Sequence, residues 1–313
     1  MDSRHRHGVL FIFATQIIWG LTPIVIKFIN HGFPGSLLVA IRGILGAVLL
    51  FAIIIASGTF KSVLALRPKM ILQLVLLGIV ASGIADLFNV AAIRNGGVIV
   101  ATLMARLEIP LGVMMASWIL KEKISSSMKL ATALSFVGVV LISYRTGLTA
   151  QSSASFYQGI FYGLFAALCW SSSGIFAKTI LSKKVLPIVV TCARLFVGGI
   201  FSAVMAATTV PDIAVRFSQL TSTEWGAIVG LGIVASALAF YLYYEGLERL
   251  EANRTAVLLS LSLVVAVLSG ILIGESLQLV QWCGAAFILM GIYITITSPK
   301  TQQPAAELLI NES

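Results

Sequence analysis

Residues 8–29 read GVLFIFATQIIWGLTPIVIKFI, a stretch that contains a single charged residue, Lys27. A helix needs about 20 predominantly apolar residues to cross the hydrocarbon core of a bilayer. The stretch is long enough to do so, and it lacks the small-residue cleavage site that would end a signal peptide. It is therefore predicted to be a retained membrane-spanning helix.

The rest of the chain has the same composition. Of its 313 residues, 58% are hydrophobic and only 11% are charged, whereas soluble domains carry about 25% charged residues. This composition excludes a soluble globule and leaves no room for a soluble catalytic domain. Ten apolar runs are candidate spans: 8–29, 36–57, 70–93, 97–119, 128–144, 156–180, 186–208, 223–247, 253–274 and 279–298.

The basic residues are distributed unevenly between the two sides of the predicted spans. If the N-terminus is cytoplasmic, fourteen Lys and Arg residues fall in the inside segments and four in the outside segments. Because cytoplasmic loops carry an excess of Lys and Arg, this bias predicts that both termini are cytoplasmic and that the number of spans is even. The net charge of +9 is thereby explained without nucleic acid.

The chain repeats its landmarks at long range. Equivalent residues are separated by 151 to 153 positions in four pairs: Trp19 and Trp170, Lys27 and Lys178, Arg42 and Arg194, Glu122 and Glu275. Each half, 1–150 and 151–313, holds five spans, so the second copy must be inverted relative to the first. The predicted fold is an all-α integral membrane protein with ten transmembrane helices in two inverted five-helix repeats, followed by a short cytoplasmic tail. Inverted repeats are typical of secondary transporters.

These landmarks resemble a known family over essentially the whole chain. They resemble the EamA-like branch of the drug/metabolite transporter superfamily. The residues that carry the resemblance are Trp19-Gly20-Leu21-Thr22-Pro23 with Lys27, Arg42, the turns at Glu122 and Gly274-Glu275, and the segments Phe136–Val140 and Leu289–Ile292. The resemblance implies a ten-helix transporter of small metabolites, often an exporter of amino acids or related compounds, in a bacterial inner membrane. It also implies a central cavity lined mainly by the first, third, fourth, sixth, eighth and ninth helices.

Charged residues within the spans are the first candidates for a transport site, because charges at membrane depth usually mark a pathway or a paired contact. Asp86 lies in the third span, and Arg106 and Glu108 lie in the fourth. Asp86 or Glu108 is a candidate proton-coupling carboxylate. The alternative is an ion pair with Arg106 that only holds helices together. Asp86 is the expected partner of Arg106, whereas Arg106 and Glu108 are two residues apart and are not expected to pair.

Two prolines sharpen this prediction. Each removes the backbone hydrogen bond to the carbonyl four residues earlier, so Pro23 would free the carbonyl of Trp19 and Pro110 that of Arg106. Irregular backbone is tolerated at membrane depth where it lines a cavity, and these positions favour a polar substrate site. A simple packing kink is the alternative.

The predicted substrate-contacting residues carry polar or aromatic side chains within the spans: Trp19, Thr22, Asn89, Arg106, Trp170, Ser173, Tyr241 and Ser260. Tyr243 and Tyr244 are at least as well interpreted as interfacial aromatics. Arg42 and Arg194 are candidate gate residues, although their matched positions favour a structural role.

The leading functional hypothesis is a secondary transporter that exports a small metabolite in exchange for protons. Uptake or exchange of an anionic metabolite is one alternative, and a non-transporting membrane scaffold is another. Neither an enzyme nor a cofactor or metal is expected, because the three histidines lie outside the spans and phosphate-loop and CxxC motifs are missing from the sequence. The expected partners are a small-molecule substrate and the lipid bilayer, and homodimer formation is left open.

Overall fold

A computed structural model describes residues 3–29, 32–120, 126–144, 150–249 and 261–297, and every regular element within these ranges is helical. The elements in the first half are α1 Ser3–Phe28, α2 Gly35–Ala56, α3 Phe60–Leu64, α4 Pro68–Leu77, the π-helix π1 Gly78–Ile84, α5 Ala85–Gly96, α6 Val98–Ala105, α7 Glu108–Leu120 and α8 Ser126–Ser143. Those in the second half are α9 Ala150–Ser182, α10 Pro187–Thr209, α11 Ile213–Ser218, α12 Ser222–Gly230, the π-helix π2 Leu231–Leu238, α13 Ala239–Arg249, α14 Leu261–Leu272 and α15 Leu279–Thr297.

Helices form where the sequence has apolar runs. Within the described residues, six helical stretches are long and apolar enough to cross a membrane: Arg6–Phe28, Gly35–Ala56, Pro68–Gly96, Ser152–Ser182, Pro187–Thr209 and Ser222–Leu247. Three shorter apolar helices cover Lys129–Ser143, Leu261–Leu272 and Leu279–Ile294. The prediction of an all-helical chain with long apolar spans is confirmed.

The predicted span 97–119 is not one helix. It is divided into α6 and α7, which are separated by a turn at residues 106–107. Pro110 explains the position of the break, because its ring nitrogen cannot donate to the carbonyl of Arg106. Of the predicted span 253–274, residues 253–260 lie outside the described part of the chain.

The two halves of the chain pack against each other throughout. Among the described elements, α2 packs on α10, α5 on α9, α8 on α15, and α1 on both α13 and α14. Small residues permit this close approach, as expected where lipid supplies no hydrophobic drive for helix association. A Cβ added at Gly138 of α8 would lie 2.6 Å from the carbonyl oxygen of Gly284 in α15, and the reverse distance is 2.7 Å. The interior of the protein is therefore an interface between its two halves.

The outward faces of these helices are apolar. Leu10 is 62% exposed, Val140 68% and Leu272 85%. Large contiguous apolar surfaces are rare on soluble monomers. On transmembrane helices they are the faces that contact lipid.

One ion pair joins the end of α1 to the turn between α14 and α15. Lys27 Nζ lies 2.5 Å from Glu275 Oε1, and the same carboxylate accepts hydrogen bonds from the backbone N–H groups of Val98 (2.8 Å) and Ile99 (2.9 Å). The preceding Gly97 has φ +87°, and a Cβ there would lie 2.9 Å from Glu275 Oε1. Glu275 therefore fixes the corner between α5 and α6, and Gly97 gives the carboxylate room to approach.

Candidate functional site

The break between α6 and α7 brings Arg106 and Glu108 together. Arg106 Nη1 lies 3.2 Å from Glu108 Oε1. The prediction that these two residues do not pair is wrong, because the residues between them form a turn and not a continuous helix. The Arg106 carbonyl is also not left free by Pro110, since it accepts the backbone N–H of Ile109 at 3.2 Å.

Glu108 lies among charged and aromatic groups from several helices. Arg194 of α10 is close enough to interact electrostatically with it, and so is Tyr243 of α13. The Ser171 hydroxyl of α9 donates a 2.8 Å hydrogen bond to the Glu108 backbone carbonyl. Although it lies in the membrane interior, the Glu108 side chain remains 27% exposed, whereas that of Arg106 is 9% exposed. The Glu108 carboxylate is therefore more exposed than the guanidinium with which it pairs.

Asp86 has a different partner from the predicted one. It pairs with Arg42 of α2, and the two side chains are only 5% and 8% exposed, respectively. The expected Asp86–Arg106 pair is wrong, because Arg106 pairs instead with Glu108 on its own side of the helix break. The deep burial of the Arg42 side chain and its pairing with Asp86 favour a structural role for this residue.

Arg194 occupies the equivalent place in the second half, but its contacts differ. It donates from Nε to the Ser82 hydroxyl (2.7 Å) and from Nη1 to the Tyr244 hydroxyl (3.1 Å), and its guanidinium lies 3.9 Å from the centroid of the Phe240 ring. Phe240 follows Asp86 by 154 positions. The equivalent arginines therefore make different contacts: Arg42 forms an ion pair with Asp86, whereas Arg194 makes a cation–π contact with Phe240.

The two tryptophans make matched hydrogen bonds across the halves. Trp19 Nε1 donates to the carbonyl of Ala235 in π2 (3.2 Å), and Trp170 Nε1 donates to the carbonyl of Ala81 in π1 (3.1 Å). A π-type turn is wider than an α-turn and leaves a carbonyl available to a side chain, and such turns are frequent at functional sites.

A signal for this arrangement is present in the sequence and was missed by the landmark comparison. The hexapeptide LGIVAS occurs at 77–82 and again at 231–236, and its alanines are Ala81 and Ala235. The identical segments coincide with the two π-helices. Each therefore supplies the carbonyl that the tryptophan of the other half binds.

Aromatic rings form one wall of the site. The Trp19 ring packs against Phe240 (4.9 Å between centroids) and Tyr243 (5.2 Å). Tyr243 and Tyr244 are thus interior residues, which corrects their interpretation as interfacial aromatics; Tyr244 is only 1% exposed. The predicted site residue Tyr241 is half-buried and interacts with Glu245 through a side-chain hydrogen bond.

The predicted hydroxyl residues mainly bond to their own helices. Thr22 donates to the carbonyl of Ile18 (2.8 Å), and Ser173 donates to that of Trp170 (2.9 Å). Asn89 is half-buried in α5, one turn beyond Asp86. Ser260 lies outside the described residues. Among the described residues, no group of three or more His, Cys, Asp and Glu side chains is arranged to hold a metal ion.

The model of the EamA-like transporter family matches this chain twice, over residues 6–144 and 157–297. The chain belongs to the EamA-like transporter family. It is accordingly a multi-pass membrane protein of a transporter family, and both family segments contribute residues to the site around Glu108.

Named relatives extend over nearly the whole chain. A probable amino-acid metabolite efflux pump of Salmonella typhimurium is 27% identical over 297 residues, which cover 92% of this chain and 94% of that protein. The probable amino-acid metabolite efflux pump of Escherichia coli is 27% identical over 304 residues, which cover 93% and 95%. An uncharacterized transporter of Bacillus subtilis, YyaM, is 24% identical over 290 residues, which cover 92% and 93%.

A solved crystal structure has the same fold. It superimposes with a TM-score of 0.64 at 18% sequence identity, covering 93% of this chain and 97% of the other.

Proposed function

We propose that this EamA-like transporter is a secondary active transporter that exports a small metabolite, an amino acid or a related compound, in exchange for protons. The observation that carries the proposal is the partly exposed carboxylate of Glu108 in the fourth predicted span, which pairs with Arg106 and interacts electrostatically with Arg194 and Tyr243. The names of the Salmonella and Escherichia relatives support the substrate class and the direction.

The chemistry of this site suits a zwitterion. The Glu108 carboxylate can bind an ammonium group, Arg106 can bind a carboxylate, and the Trp19 and Tyr243 rings offer apolar surface to a side chain. When Glu108 is protonated, it no longer attracts the ammonium group. Substrate and proton therefore compete for one carboxylate, and this competition is what couples export to proton entry.

We infer ten spans arranged as two inverted five-helix repeats, 1–150 and 151–313. The double match to the family model, the repeated LGIVAS segment and the cross-bonded tryptophans support this arrangement. The charge bias supports cytoplasmic termini, and the relatives in Salmonella and Escherichia support a bacterial inner membrane. In such a fold, rocking of one repeat against the other gives access to each side in turn.

The coupling role belongs to Glu108 and not to Asp86 in this proposal. Asp86 is held by Arg42 and is almost completely buried. The Asp86 side chain is only 5% exposed, whereas that of Glu108 is 27% exposed. Glu108 retains an exposed edge, so its proton can exchange with an aqueous cavity.

The experiment is flux into proteoliposomes with a mixed pool of labelled amino acids, organic anions and nucleoside-type metabolites. We expect zwitterion flux that responds to an imposed pH gradient. Glu108→Gln should keep substrate counterflow and lose the response to the gradient. Glu224→Gln is the matched control, because Glu224 closes a capping box at the start of α12 in which Gln is equally acceptable.

The outcomes separate the alternatives. A Glu108→Gln protein that still follows the pH gradient would overturn the coupling role. Gradient-independent exchange of an anion would favour uptake or exchange of an anionic metabolite, with Arg106 and Arg194 as its contacts. If the folded protein carries no member of the pool, the scaffold alternative gains support.

A further inference from the structure

A cavity lies on the side of the protein that the charge bias predicts to face outward, and it is called the outer cavity. It has a volume of about 520 Å³, within the range of small-molecule pockets. Its lining comes from four places in the chain: the end of α1, residues 94–100, the start of α9 and residues 274–277. Lys27 on its wall is eight residues beyond Trp19 in α1, which is about 12 Å along the helix. This part of the cavity wall is thus displaced from Trp19 along α1.

The charges of this outer cavity do not balance. Its charged lining residues are Lys27, Arg94 and Glu275. Glu275 is already occupied by Lys27 and by two backbone N–H groups of α6. Arg94 is left without a carboxylate partner in the cavity lining, so the cavity carries one cation in excess.

Arg94 is also incompletely hydrogen-bonded. Its Nη1 donates to the carbonyl of Phe33 at 2.6 Å. Its Nε and Nη2 atoms are buried, and neither has a hydrogen-bond partner among the residues that the structure describes. A guanidinium buried in this way is costly unless an acceptor satisfies it.

The two unpartnered nitrogens have a particular geometry. The N–H bonds of Nε and Nη2 point in parallel from one edge of the planar guanidinium. This edge matches the two oxygens of a carboxylate and forms a bidentate pair with it. Arg94 thus has the edge that recognises carboxylates, whereas its third nitrogen holds the side chain in place. Because Nε and Nη2 are buried, the side chain has to turn this edge into the cavity to meet a solute.

We propose that the outer cavity is a binding site for the carboxylate of a small organic solute, held bidentately by Arg94. Phe156, Ile99 and Val100 supply apolar wall for the rest of the solute. The solute is either the transported metabolite on its way through or another carboxylate present on that side of the membrane. The site does not depend on the proposed transport reaction, because binding can be measured without flux.

The test measures thermal unfolding of the purified full-length protein in lipid nanodiscs. Sodium acetate is the probe, with sodium chloride at equal ionic strength as reference, since a ligand that binds the folded state raises Tm. We expect acetate to stabilise the protein and methylammonium chloride to have no effect. Arg94→Gln should weaken acetate binding by about tenfold or more, and Arg94→Lys should restore it only in part.

Further variants locate the site. Ser155→Trp narrows the cavity without changing a charge and should also weaken binding, which keeps the test decisive if Arg94→Gln does not fold. Lys69→Gln, which changes an exposed cation outside the cavity, should leave acetate binding intact. Equal stabilisation of wild type and Arg94→Gln would overturn the proposal, as would stabilisation by inorganic phosphate but not by acetate.

Two further comparisons show which carboxylate binds in the outer cavity and whether the site stands without the proposed transport reaction. If the metabolite identified by flux competes with acetate for the wild-type protein, that metabolite occupies the outer cavity. If it does not compete, the occupant is another carboxylate. Either result is compatible with a carboxylate site at Arg94. Missing flux together with Arg94-dependent acetate binding would leave the outer site standing while the proposed function fails.

Discussion

Replacing Asp86 with Asn removes one partner of a buried ion pair and changes little else. Asparagine has nearly the same volume as aspartate, so the substitution leaves no cavity. Arg42 stays in place with an 8% exposed side chain and no counter-charge. Removing one member of a buried pair costs about 3–5 kcal/mol. We expect Asp86→Asn to lower the free energy of unfolding by that amount.

The assay is reversible unfolding of the purified protein in mixed detergent micelles. The matched control is Asp212→Asn, the same substitution at an exposed residue with φ +52°, a conformation that asparagine tolerates well. Surface changes of this kind usually stay within about 0.5 kcal/mol. The difference between the two variants therefore reports the buried charge.

A double variant tests the reasoning further. Arg42→Leu combined with Asp86→Leu removes both charges, and apolar replacement of a whole buried pair is often neutral or stabilising. The double variant should be more stable than Asp86→Asn alone. The structural interpretation would be refuted by a loss of less than about 1 kcal/mol in Asp86→Asn, or by a double variant that is less stable than the single one. A well-folded Asp86→Asn protein that no longer responds to a pH gradient would transfer the coupling role to Asp86.

Two further predictions concern the contacts between the halves. Trp19→Phe and Trp170→Phe each remove an indole N–H that donates to a π-helix carbonyl. Each should lower the free energy of unfolding by about 1 kcal/mol and slow substrate counterflow. An effect of only one of the two substitutions would contradict their matched roles. Gly97→Ala should lower Tm more than Gly58→Ala does. Both positions have positive φ, which costs about 1–3 kcal/mol, but only Gly97 also faces Glu275, whereas a Cβ at Gly58 meets open space. Equal losses in thermal denaturation would mean that the Glu275 contact adds nothing.

The positions of the helices and of the break at residues 106–107 follow from local sequence. Each apolar run is long enough to satisfy its own backbone, and Pro110 interrupts the hydrogen bonding of its own preceding turn. The same reasoning failed for the side chains at that break. A spacing of two separates the side chains of Arg106 and Glu108 only if the helix is continuous.

The candidate site was predicted in part. Trp19, Trp170, Arg106 and Glu108 are candidates because they are polar, charged or large aromatic residues at membrane depth. The structure pairs Arg106 with Glu108 and bonds each tryptophan to the π-helix of the other half. Tyr243 was set aside because its place near the end of a span suits an interfacial residue equally well. Its contact with the Trp19 ring depends on how α13 is rotated against α1, which spacing within one helix does not specify.

The sequence by itself determined that this is an all-helical chain with long apolar spans, that its landmarks recur at a fixed distance, and which residues carry charge into the membrane. These properties depend on composition and on hydrogen bonds within one segment. Only the tertiary structure decided that Asp86 meets Arg42, that each tryptophan reaches the π-helix of the other half, and that two buried nitrogens of Arg94 have no hydrogen-bond partner among the described residues. Such contacts depend on the rotation and lateral neighbours of each helix. Small residues far apart in the chain, such as Gly138 and Gly284, set these by letting backbones approach closely.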